Sequence, residues 1–149
     1  NQVIVGFILF SKMKKIYDAN LMGYINLFET MSRVKVKDAY IREGTIVFII
    51  EENGLRKALG RNGSNIKRLV EMIKKKIKLI EFNPNVEQFI RNFIYPSEAE
   101  EIKNEDGIIK IKASGSKTKG LLIGRESKNL KEMKNIVGRY FSVKDIIIV

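Results

Sequence analysis

The chain has neither cysteine nor histidine among its 149 residues, and this absence removes several classes of site. Without cysteine there is no disulfide, no thiolate metal ligand and no cysteine nucleophile. Without histidine there is no imidazole metal ligand and no histidine general base. Most types of hydrolase and redox active site use cysteine or histidine and are therefore excluded. Carboxylates and lysines remain, but the acids mostly lie beside basic residues in patterns typical of solvated ion pairs.

Long apolar runs are also missing. The run from Val3 to Phe10 has eight residues, whereas a membrane-spanning helix needs about 20. No positive charge precedes this run and no small-residue cleavage site follows it, so a signal peptide is not predicted. Because position 1 is not Met, Met13 is a candidate initiator. We expect residues 1–12 to be an upstream or non-native extension that either is disordered or adds an edge strand.

Acidic residues are few relative to basic ones, with 17 Asp and Glu against 28 Lys and Arg, for a formal charge of +11. The basic residues form two clusters. Residues 53–78 hold nine against one acid, and residues 115–144 hold eight against two. Such clusters favour a polyanion, either nucleic acid or an acidic membrane. A solvated surface accounts for scattered lysines more readily than for two clusters at matching positions, so we favour polyanion binding.

One short motif occurs twice within these clusters. Gly60-Arg61-Asn62-Gly63 is intact, and 64 residues later Gly124-Arg125-Glu126-Ser127 is an altered copy. Each copy lies between a short apolar segment and a basic amphipathic helix. A phosphate at the start of a helix meets free backbone amides and a partial positive charge, and glycine lets it approach closely. The arrangement suits a nucleic-acid backbone, although a lone G-x-x-G would be a weak signal.

The apolar pattern around the first copy predicts a set order of elements. A first helix begins near residue 18, with one face formed by Leu21, Tyr24, Ile25, Phe28 and Met31. Two strands follow within residues 34–51 with a turn at Glu43-Gly44, and the second, from Ile46 to Ile50, is predicted to be a buried central strand. After the short segment 54–59 and the loop comes a helix with the stripe Ile66, Leu69, Val70, Ile73 and Ile77. A closing strand contains Leu79, Ile80 and Phe82.

The same order returns in the second half of the chain. Asn83-Pro84 can cap and open a helix, which Pro96 ends. Strands near 98–104 and 107–113 meet at Asp106-Gly107, a strong hairpin signal. After the second loop, a helix has Leu130, Met133 and Val137 facing inward, and Ile146 to Val149 is the closing strand. The sequence therefore predicts two α-β-β-α-α-β units.

These elements and four segments resemble a pair of type II KH domains of the archaeal NusA-like transcription factors. The segments are YINLFE at 24–29, KALGRNGSNIKRL at 57–69, IKLIEF at 77–82 and LLIGRESKNLKEM at 121–133. The resemblance covers the chain from about Met13 to Val149. It implies an α+β fold of two tandem domains, each a small three-stranded sheet with helices packed on one face. The predicted boundaries are 1–12 for the extension, 13–83 for the first KH domain and 84–149 for the second.

The resemblance also implies a function, namely binding of single-stranded RNA without catalysis, metal or cofactor. The RNA backbone would lie against the loop and its bases would face an apolar floor, for which Leu59 and Ile66 are candidates unless they serve core packing. Glu126 and Ser127 depart from the family pattern, which puts the phosphate contact of the second loop in doubt. The candidate RNA-binding residues are Lys57, Gly60, Arg61, Asn62, Gly63, Ser64 and Lys67 in the first unit and Gly124, Arg125, Glu126, Ser127, Lys128 and Lys131 in the second.

Three functions remain open from the sequence. The resemblance favours a cytoplasmic, monomeric factor that acts in transcription elongation, termination or antitermination, with single-stranded RNA and RNA polymerase as candidate partners and no membrane. An RNA-binding protein of ribosome assembly or RNA processing is the alternative. A nucleotide-using enzyme is the third, but neither loop has the glycine-lysine-serine/threonine ending of a P-loop.

Overall fold

The structure is a computed structural model and describes residues 19–149. Within this range the chain forms two units, of which the first ends at Phe82 and the second begins at Asn83. The first unit consists of α1 (Ala19–Ser32), β1 (Val36–Arg42), β2 (Thr45–Ile50), α2 (Leu55–Leu59), α3 (Ser64–Ile73) and β3 (Lys76–Glu81). The second consists of α4 (Val86–Ile94), β4 (Ala99–Glu105), β5 (Ile108–Ala113), α5 (Ser116–Ile123), α6 (Lys128–Tyr140) and β6 (Asp145–Ile148). Both units have the predicted α-β-β-α-α-β order.

Each unit contains one three-stranded sheet in chain order, β1-β2-β3 and β4-β5-β6. The first two strands of each sheet are antiparallel, and the hairpins turn at the predicted Glu43-Gly44 and Asp106-Gly107. The third strand is parallel to the second, with Ile46 opposite Ile77 and Ile109 opposite Ile146. A parallel pair needs a long crossover. The crossover in each unit is the helix–loop–helix that contains the glycine motif.

The core of the first unit forms between α1 and the sheet. Phe28 of α1 and Phe48 of β2 are fully buried, and their rings stack with 4.7 Å between centroids. All five residues from Ile46 to Ile50 are 0% exposed, which confirms the predicted buried central strand. Apolar pairs of this kind supply most of the free energy that holds a small domain together.

The second unit repeats this plan with a different aromatic cluster. Phe89 of α4 is fully buried, and its ring packs against the ring of Phe141, the residue after α6, with 5.6 Å between centroids. Met133 and Val137 of α6 are buried as predicted, whereas Leu130 is only half-buried. The start of α6 therefore lies less deeply in the core than its middle.

Two local predictions are wrong. Ile77 lies in β3, because α3 ends where Lys74 adopts a left-handed conformation (φ 60°) and donates its N–H to the Val70 carbonyl. The N-cap of α4 is Asn85, whose side chain accepts from the backbone N–H of Gln88, and not the Asn83-Pro84 pair. Asx side chains cap helices by this kind of bond.

Residues 1–12 and the start of the first domain at Met13 lie outside the described range, so the predictions made for them stay predictions. In the part of the chain that the structure describes, no helix has the length and apolarity needed to cross a membrane.

Candidate nucleic-acid interface

The first glycine loop joins α2 to α3 through a tight left-handed turn. Gly60 has φ 74° and ψ 176°, Asn62 has φ 55° and ψ 29°, and Gly63 has φ 73° and ψ 18°. The Gly63 N–H donates to the Gly60 carbonyl across the turn at 3.1 Å. Helix α3 then begins with no side-chain cap and with no acidic residue in its first turn. The start of α3 therefore offers backbone amides and the positive end of a helix dipole to an anion.

The second loop has the same backbone conformation although half of its motif differs. Gly124 has φ 76° and ψ 170°, Glu126 has φ 55° and ψ 30°, and Ser127 has φ 60° and ψ 23°. The Ser127 N–H donates to the Gly124 carbonyl at 3.2 Å. A non-glycine residue in this region costs on the order of 1 kcal/mol. The second unit thus keeps the shape of the loop and changes its chemistry.

The predicted site residues of the first unit lie on this helix–loop–helix. Lys57 of α2, Arg61 and Asn62 of the loop, and Ser64 and Lys67 of α3 are all exposed. The Lys67 side chain turns back toward the loop, since its Cε lies 3.9 Å from the position that a β-carbon on Gly63 would occupy. Side chains of a helix lean toward its N-terminus. Lys67 is therefore placed to add its charge at the loop.

In the second unit the predicted basic residues Arg125, Lys128 and Lys131 are also exposed. Glu126 is exposed as well, so a carboxylate lies in the loop itself. One turn further along α6, Lys134 is engaged with Asp145 of β6 at 2.9 Å between Nζ and Oδ1. This bond, together with one from the Ile146 N–H, lowers the pKa of Asp145 below its usual value. The second site therefore has fewer uncompensated positive charges than its Lys and Arg count suggests.

Apolar side chains flank both loops without belonging to the buried core. Leu59 and Ile66 are half-buried beside the first loop, as are Ile123 and Leu130 beside the second. Partly exposed aliphatic groups beside a phosphate-binding loop can contact bases. The assignment of Leu59 and Ile66 to a base-binding floor stays a prediction.

Two residues of the interface were missed as site residues. Asn65 and Asn129 occupy the second position of α3 and α6, and each donates its side-chain amide to a carbonyl eight residues earlier, of Lys57 at 3.3 Å and of Leu121 at 2.8 Å. The sequence did contain a sign of their importance, because Asn65 and Asn129 are among the residues that recur 64 positions apart. Its contact could not be derived from periodicity.

Within residues 19–149 no group of three or more His, Cys, Asp or Glu side chains is arranged to hold a metal ion. The described residues do form a pair of left-handed glycine loops with basic and aliphatic surroundings.

Comparison with known proteins finds similar sequences and similar solved structures, including the following four. A protein of Methanococcus vannielii named "Probable transcription termination protein NusA" is 32% identical over 84% of this chain and 74% of its own length. Its namesake in Thermoplasma acidophilum is 30% identical over 87% of this chain and 92% of its own. A third, from Methanocaldococcus jannaschii, is 27% identical over 84% of this chain and 70% of its own length. The crystal structure of APE1850 superposes with a TM-score of 0.61 at 25% identity, covering 86% of this chain and 96% of that one. No family model matches the chain.

Proposed function

This chain belongs to the archaeal family of proteins named probable transcription termination protein NusA, and we propose that it acts in transcription by binding single-stranded RNA through its glycine loops. The observation that carries the proposal is the first loop. It combines a left-handed turn, an uncapped start of α3 and the exposed side chains of Arg61 and Lys67.

Binding follows from the chemistry of this loop. The backbone amides at the start of α3 donate to a phosphate, and the helix dipole favours its negative charge. Arg61 and Lys67 neutralise the phosphate and release condensed counterions. The flanking aliphatic side chains of Leu59 and Ile66 then contact the bases, which a single strand can present and a duplex keeps stacked inside.

The two loops contribute unequally in this proposal. Asn62 in the first loop offers hydrogen-bond donors, whereas Glu126 at the matching position of the second places a carboxylate beside the expected phosphate. A carboxylate and a phosphate are both negative and repel each other. The first unit therefore supplies most of the affinity, and the second supplies less.

The biological setting is proposed from the family name, which assigns its members to transcription termination. Elongation and antitermination, and direct contact with RNA polymerase, are part of the same proposal. Pull-down with RNA polymerase against co-sedimentation with ribosomes tests it. Recovery with ribosomes alone would favour a role in ribosome assembly.

Single-stranded RNA is expected to compete for the protein far better than duplex RNA of the same length. The proposed site beside each loop would take unstacked bases of a single strand, whereas bases paired in an A-form helix cannot reach the aliphatic side chains. Competition against a labelled single strand measures the difference. Equal competition by the duplex would mean that the protein reads charge alone.

Binding is also expected to weaken with salt. If on the order of four phosphates are neutralised, log affinity falls with log salt at about −0.7 per phosphate, near −3 in total for a single strand. Titrations at several salt concentrations give the slope. A flat dependence would show that the two basic clusters are solvated surfaces that do not touch phosphate.

A further inference from the structure

The end of the helix before each loop leaves carbonyl groups without an intrahelical partner, and one of them is bonded by a side chain of the next helix. The last helical bond of α2 runs from the Gly60 N–H to the Arg56 carbonyl at 3.1 Å, and that of α5 runs from Gly124 to Gly120 at 2.8 Å. The next carbonyl in each helix, of Lys57 or Leu121, loses its intrahelical partner because the chain turns. It accepts instead from the side chain of Asn65 or Asn129 in the following helix.

The same asparagines define which residue can begin the loop. A β-carbon on Gly60 would lie 2.8 Å from Cγ of Asn65, and one on Gly124 would lie 2.7 Å from Cγ of Asn129. Both distances are shorter than real contacts allow. A β-carbon on Gly63, by contrast, would meet its nearest neighbour, Cγ2 of Ile66, at 3.8 Å. The first glycine is thus fixed by packing and also by its backbone, since φ 74° with ψ 176° at Gly60 and φ 76° with ψ 170° at Gly124 are conformations that essentially only glycine adopts. The fourth position lies in the ordinary left-handed region and has room for a side chain.

We infer that Asn65 and Asn129 are positioning residues of the two loops, which tie the two helices together and thereby set where the loop presents a phosphate site. The inference rests on the proposed function for its RNA readout. Together with the glycine-only backbone conformation of Gly124, it accounts for an altered copy that keeps Gly124 but accepts Ser127. Neither asparagine needs to touch RNA for this role.

The first test replaces Asn65 by Ala and measures affinity for single-stranded RNA at several salt concentrations. Loss of one neutral hydrogen bond that orients the loop is expected to weaken binding about three- to tenfold. Because the loop then no longer holds its phosphate, the salt slope should become less negative by about 0.7. Asn26→Ala, at an exposed position of α1, is the matched control and should change neither quantity. Unchanged affinity and slope for Asn65→Ala would overturn the inference, as would an equal loss in the control.

The second test needs no RNA and therefore separates this inference from the proposed function. Gly60→Ala is expected to lower Tm by about 4 °C or more, because it adds both backbone strain and a collision with Asn65. Gly63→Ala adds backbone strain alone and should cost less. In an Asn65→Ala background the Tm cost of Gly60→Ala should shrink but not vanish, since the colliding side chain is gone while the backbone strain and the contact with the Asn65 backbone N at 3.0 Å remain. If the cost is the same in both backgrounds, Asn65 does not determine the loop, whatever the RNA measurements give.

The second unit supplies a parallel pair of variants within one helix. Asn129→Ala removes the bond to Leu121, and Asn135→Ala changes an exposed asparagine of the same helix. Backbone amide chemical shifts of residues 124–127 are expected to move in the first variant and stay in place in the second. If wild-type protein fails to bind RNA but these shifts behave as expected, the proposed function is wrong and the positioning role stands.

Discussion

Changing Arg61 and Asn62 together to Asp is expected to lower affinity for single-stranded RNA at least about tenfold, roughly 1.4 kcal/mol. The two carboxylates would stand where the first loop is proposed to hold a phosphate, and Arg61 would no longer neutralise it. Both side chains are exposed, and exposed substitutions usually alter the free energy of unfolding by only about 0.5 kcal/mol. Circular dichroism should therefore show a folded protein, and fluorescence anisotropy should show the weaker binding.

Charge-matched variants show whether the effect belongs to the loop. Asn26→Asp with Arg33→Asp changes the same residue types at exposed positions of α1 and just after it, and we expect only the small loss of affinity due to net charge.

Arg125→Asp in the second loop should cost less affinity than the double change in the first loop, because Glu126 already lies in the second loop. Glu126→Asn with Ser127→Gly restores the intact pattern and should tighten binding. Normal binding by the first variant together with a loss in Arg125→Asp would reverse the proposed ranking of the loops.

Replacing Phe28 by Ala is expected to lower the free energy of unfolding by about 3–5 kcal/mol. Phe28 is fully buried and stacks on Phe48, so its removal leaves a cavity between α1 and the central strand. Urea unfolding followed by circular dichroism measures the loss. Met22→Ala on the same helix is the control, because Met22 is 52% exposed and its truncation should stay within about 0.5 kcal/mol. Similar values for the two variants would place the core elsewhere.

The element order could be predicted because each segment has a clear period and each turn has strong local chemistry. Ile77 shows where that reasoning fails. It lies four residues after Ile73, as in a helix, and two before Leu79, as in a strand, so its spacing fits both. Lys74 decides the matter by adopting a left-handed conformation, and no periodicity encodes that choice.

The sequence predicted the loops of the candidate site but not the hydrogen bonds that join the helices on either side of them. The repeated motif located the residues of the two loops, which are proposed to face a phosphate, but the bond from Asn65 to Lys57 spans the turn and depends on where α2 ends. The backbone of the second loop was also harder to foresee. Ser127 departs from the family pattern, yet its φ and ψ lie close to those of Gly63. The second loop therefore keeps its left-handed turn without a glycine at the fourth position.

The room at the fourth position of the loops also makes it a suitable place for a fluorescent label. Because the chain has no cysteine, Ser127→Cys creates a single thiol, and the room around the equivalent Gly63 indicates that the substituted side chain fits. A fluorophore attached there would report the arrival of RNA at the second loop alone. Paired with a quencher on the RNA, it would time the engagement of that loop separately from overall binding.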